Sequence, residues 1–71
     1  MKYAYFTAYY YINQAGRAVF KNVEIDLDKL IDSMDDIRQM EAVLAERNKS
    51  KEENTYIIGL YLLRVFTGEK N

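Results

Sequence analysis

The acidic run "DLDKLIDSMDD", residues 26 to 36, gathers more carboxylates than any other stretch of its length in this chain. Paired carboxylates can trade a proton as general acid and base, and closely spaced acids can hold calcium. Neither chemistry suits this run. Asp35 and Asp36 are adjacent, so on a helix they point about 100° apart instead of converging on one substrate. A calcium loop needs the pattern D-x-[DN]-x-[DN]-G and a closing Glu. The run lacks both the turn glycine and a Glu at the closing position. Ser33, Ser50, Thr7, Thr55 and Thr67 could serve as nucleophiles only beside an activating base. The chain has no His and no Cys. Gly16, Gly59 and Gly68 form no phosphate loop. No catalytic residue, metal ligand or cofactor is therefore assigned, and the chain reads as not an enzyme.

The other chemistry is aromatic. "YAYFTAYYYIN", residues 3 to 13, holds five tyrosines and a phenylalanine and no charge. Such rings can fill a core, join two copies of a chain, or stack on the bases of single-stranded nucleic acid. For nucleic acid, Phe6, Tyr10 and Phe20 would stack, and Lys2, Arg17, Lys21 and Arg64 would contact phosphate. The charge argues against it. Formal net charge is −1, and residues 24 to 53 carry ten of the eleven acids against five bases. Phosphate affinity needs more positive charge than this. Single-stranded nucleic-acid binding therefore stands as the alternative reading.

The elements that position these groups read off the pattern. Residues 2–12 form an aromatic strand, since Tyr and Phe favour pleated, half-buried surfaces. "NQAG", 13–16, is a turn with Asn first and Gly last. Residues 17–27 alternate cleanly: Val19, Val23, Ile25 and Leu27 fall on one face, Asn22, Glu24 and Asp26 on the other. A helix covers 33–48. Ser33 suits its N-cap, Asp35 and Asp36 suit its positive end, and Arg47 suits its negative end. Ile37, Met40 and Leu44 form its apolar stripe, flanked by Met34, Glu41 and Val43. A polar loop at 48–54 leads to a strand at 55–66, apolar on both parities, and 67–71 is a polar tail.

The order β-β-α-β places the chain in the α+β class, as one domain over 1–71. The uncharged first strand belongs in the centre, giving a three-stranded sheet of order 2-1-3 with the helix on one face. A three-residue loop with Gly16 in the left-handed conformation pairs Asn13 with Arg17. Odd residues of the first strand then lie under the helix. Ala4, Phe6, Ala8, Tyr10, Ile12 and Phe20 form the open face. A four-residue loop would exchange these sets, because one residue of slip flips every side chain.

In either register one helix covers one face, while the first and third strands are apolar on both. Monomers rarely expose apolar patches beyond a few hundred Å². A chain of 71 residues is also marginally stable alone, and without Cys or His its remaining staple is a partner chain. The expectation is a homo-oligomer, most simply a dimer, with Phe6, Tyr10, Ile12 and Phe20 in the interface; a foreign protein is the other possible cover. The start of the chain does not resemble a signal peptide, and no apolar run reaches the roughly 18 residues of a membrane span. The expected location is the cytoplasm, without membrane contact.

"AVFKNVEI", "SMDDIRQMEAVLAE" and "YIIGLYLL" together resemble a pattern in small phage and prophage proteins of unknown function. The matching residues are Phe20, Asn22, Ile25, Asp36, Ile37, Met40, Glu41, Ile57, Ile58 and Leu62. The turn here departs from that pattern in having a single glycine. The resemblance implies the same β-β-α-β architecture and a mobile-element origin, and it brings no known activity. The function expected from the sequence is thus a small non-enzymatic interaction or regulatory protein.

Overall fold

The computed structural model describes residues 1–67. Its elements are β1 (Lys2–Ile12), β2 (Ala18–Leu27), α1 (Met34–Arg47), a 3-10 turn (Glu52–Asn54) and β3 (Thr55–Phe66). They form a three-stranded sheet of order β2-β1-β3, in which β1 is antiparallel to both neighbours. The class and strand order are those expected from the sequence. The polar tail lies outside the described residues except for Thr67.

The turn sets the register as the Asn–Gly spacing implied. Asn13 N–H donates to the Arg17 carbonyl at 2.9 Å, and Gly16 adopts φ +78°. The Asn13 side chain also accepts from the Ala15 and Arg17 amides, which locks the loop. Tyr5 therefore opposes Ile25 and Thr7 opposes Val23, while Phe6 opposes Glu24 and Tyr10 opposes Phe20.

The double parity of β3 has a geometric cause. Its pairing with β1 shifts by one residue between Ala4 and Tyr5 and again between Ala8 and Tyr9. Each shift is a bulge, and the extra residues are Leu63 and Ile58. A bulge reverses the alternation of side chains beyond it. Thr55, Ile57, Leu60, Leu62 and Val65 thus share the helix side, although their numbers change parity twice. Tyr56, Gly59, Tyr61, Arg64 and Phe66 share the other side.

The core lies between α1 and β1. Leu44 and Thr7 are fully buried, and Tyr5, Tyr9, Met40 and Ala45 nearly so. Both buried tyrosines anchor the helix by its ends. The Tyr5 hydroxyl accepts from Ile31 N–H at 2.9 Å, and the Tyr9 hydroxyl accepts from the Asn48 side-chain amide at 2.8 Å. The Thr7 hydroxyl, buried between them, has no hydrogen-bond partner among the described residues.

Ser33 is the N-cap, accepting from Asp36 N–H at 3.2 Å. Of the stripe drawn on the sequence, Met40, Leu44 and the flanking Glu41 are buried. Met34 and Val43 are instead more than half exposed, and Asp36 and Ala45 are buried in addition. Both acids turn inward because backbone amides wait for them. The Asp36 carboxylate accepts from Asp32 N–H, and that of Glu41 accepts from Ile57 N–H at 2.9 Å. A hydrogen bond from a backbone N–H to an ionised carboxylate is stronger than one to a neutral acceptor, and it offsets part of the cost of burying the charge.

Candidate interaction surface

The side of the sheet opposite α1 has no covering element among the described residues. Its side chains come from alternate positions of three paired strands, so the register dictates a pattern of rows. Phe6 and Tyr61 are paired across β1 and β3, with ring centroids 6.2 Å apart. Four residues further along β1, Tyr10 sits between Phe20 and Tyr56, at 5.3 Å and 5.0 Å. Between these rows Asn22, Ala8 and Gly59 lie side by side. The face is therefore two aromatic ridges separated by a trough of small side chains. Gly59 forms part of the trough floor: a Cβ built there would stand 3.5 Å from the Ala8 Cβ and partly fill it.

The ridges are open to solvent. Phe20 is 67% exposed and Tyr61 65%. Of the residues expected at an interface, Phe6, Tyr10 and Phe20 come together here, and Ile12 lies on the same face beside the turn. Tyr56, Tyr61 and Phe66 belong to the surface as well. The bulges hid them, since in an unbroken strand Tyr61 would fall opposite Tyr56 and Phe66.

Beyond Phe6 the face ends in paired charges. Arg64 on β3 forks onto the Glu24 carboxylate on β2, so the pair spans the central strand. Ala4, between them, is fully buried. Lys2 pairs with Asp28, and this hydrogen bond holds the Asp28 carboxyl below its ordinary range. The Glu24 hydrogen bond likewise raises the Arg64 guanidinium above its usual value.

The four cations named for a nucleic-acid surface do not gather. Lys2 and Arg64 are bound to carboxylates at one end of the sheet. Lys21 lies on the helix side, donates to the Asn48 side chain and sits 5.6 Å from the Tyr11 ring centroid. Arg17 lies in the turn at the far end. The rings thus have two neutralised cations beside them and no basic track.

Among the described residues no cluster of His, Cys, Asp and Glu could hold a metal ion, and no helix is long and apolar enough to cross a membrane. An open cleft of about 720 Å³ lies between the hairpin turn and the loop after α1. Its charged lining residues are Lys49 and Lys51, with no carboxylate or buried nucleophile opposite them. The residues with the most distinctive arrangement are therefore the rings of the helix-free face. Comparison of the chain with protein-family models, curated proteins and solved structures finds no match.

Proposed function

We propose that this chain is a small non-enzymatic interaction protein that works as a homo-oligomer joined through its helix-free sheet face. The ridged aromatic surface carries the reading. Water-exposed rings in two ordered rows, with an apolar trough between them, are costly to leave uncovered. The pattern is also self-complementary. Ridges four residues apart stand about 13–14 Å from each other, with the trough midway. A second copy, related by a two-fold axis lying between the sheets and parallel to the ridges, places one ridge of each copy in the other's trough. Such a contact uses the same patch twice and closes on itself. Each 100 Å² of apolar surface covered contributes about 2.5 kcal/mol before the costs of association.

A mobile-element origin is part of this proposal, and it rests on the resemblance of three segments to small phage and prophage proteins.

Sedimentation equilibrium at sub-millimolar concentration tests the reading. The native chain should sediment as an oligomer, and Phe6→Glu should lower the assembly mass while the far-ultraviolet circular dichroism stays unchanged. A native monomer, or a Phe6→Glu variant of native mass, overturns it.

A further inference from the structure

The two edges of the sheet differ in kind. On β2, Lys21, Glu24 and Asp26 alternate with other residues along the strand, and all three are exposed. Charges of this sort keep an edge from pairing with a foreign strand. The β3 edge has no charge from Thr55 to Leu63, and no Pro or Lys anywhere along it. Its one charge, Arg64, is turned across the sheet toward Glu24. Leu62, Leu63 and Val65 are each 45–50% exposed, although Leu62 and Val65 lie on the helix side.

We infer that the β3 edge is a second self-association site, at which residues 59 to 66 pair antiparallel with the same stretch of another copy. The structure itself limits the length of this pairing. Glu41 already takes the Ile57 N–H, so the free edge begins only after that point. Helix α1 lies along the earlier half of β3, and antiparallel pairing puts the two helices at opposite ends of the joint, clear of each other.

A second copy fits this edge better than another strand does. Antiparallel self-pairing separates the two Arg64 side chains and sets each against uncharged residues. Pairing with a β2 edge would instead set Glu24 and Asp26 against leucines, and it would be a head-to-tail contact that does not close. A two-fold axis normal to the sheet also keeps like faces together. The result is a six-stranded sheet of order 2-1-3-3-1-2, in which the Phe6–Tyr61 ridges of the two copies lie on one side. Leu62 and Val65 of both copies meet on the other side, between the helices. This contact is independent of the face-to-face contact proposed above, and uses different atoms.

The test separates the two contacts by working in the Phe6→Glu background, where the sheet face is disabled. Phe6→Glu should remain a dimer by sedimentation, and adding Leu63→Lys or Val65→Lys should give a monomer with unchanged circular dichroism. Both positions are half exposed, so a lysine at either can lay its stem along the sheet and hold its ammonium in solvent. Native-state amide exchange gives a second readout. A free edge protects roughly alternate amides of β3, those that donate to β1. Self-pairing protects consecutive amides from residue 60 to 65. A Phe6→Glu protein that is already monomeric, or one whose β3 amides exchange in alternation, overturns the edge pairing and leaves the face contact standing. A native oligomer that Leu63→Lys reduces to monomer while Phe6→Glu does not alter it supports the edge and sinks the face.

Discussion

Asp36 holds the entry to the helix together. Its amide is bound by the Ser33 hydroxyl, one carboxylate oxygen accepts from Asp32 N–H, and the other meets the Lys29 ammonium at 3.1 Å. The Asp32 amide, followed by Lys29, holds the Asp36 carboxyl down at about 2, against an ordinary value of 3.8. The sign follows directly. The folded state prefers the ionised form, so this contribution to stability is complete above the ordinary value and is lost as pH falls through about 2. Asp36→Asn should destabilise the protein at neutral pH. The gap between native and variant should close between pH 4 and pH 2, as followed by urea denaturation at several pH values. A gap that stays constant over that range would show that the carboxylate charge is not what matters. Ser33 at the cap was legible from residue type and position alone. The inward turn of Asp36 was not, since its partner amide belongs to the lead-in at Asp32, a segment without regular structure.

Helix and strand lengths explain why the core is where it is. A 14-residue helix rises about 21 Å, while the 12-residue β3 extends about 40 Å. One helix thus spans about half of the sheet, and the end bearing Leu62 and Val65 stays open on both sides. Within the covered half the stripe is centred on Met40 and Leu44. Leu44→Ala should cost about 2–5 kcal/mol, the range for a buried leucine. Val43→Ala should change stability by no more than about 0.5 kcal/mol, because Val43 is 51% exposed. Equal shifts of the two denaturation midpoints would place the buried stripe back where apolar periodicity alone puts it. Periodicity put Met34 and Val43 on the flank because it counts apolar residues as inward-facing, and it passed over Asp36 because it counts acids as outward-facing. Glu41, placed on the flank, is buried there with its carboxylate on the Ile57 amide and on Arg38, and a bulge at Ile58 lies beside that contact.

As a whole the molecule is a thin slab. Its principal extents are 44 × 26 × 17 Å, and its radius of gyration is 13.0 Å. A compact chain of this length is expected near 11 Å. One sheet with half of one side covered is all that 71 residues provide, and the surfaces left over are the aromatic face and the β3 edge. Association that favours only the folded chain stabilises it by mass action. The melting temperature should therefore rise with protein concentration, which calorimetry over a hundredfold range can check. A constant melting temperature would mean that the folded unit is the single chain.

The local elements and their order follow from residues that are neighbours in the chain. Alternation from Val19 to Leu27, the Asn13–Gly16 turn, the Ser33 cap and the uncharged first strand each depend on residues close in the chain, and they agree on a central β1. The sequence also announced a surplus of apolar surface, because β1 and β3 have more of it than one helix can cover. Which rings share a face depends instead on how the three strands pack and pair. The bulges at Ile58 and Leu63 arise from fitting β3 against β1 while Glu41 draws on the Ile57 amide, contacts between residues far apart in sequence. The bulge at Ile58 carries Tyr56 and Tyr61 to the same side despite their spacing of five, and that placement gives each ridge of the trough its ring from β3.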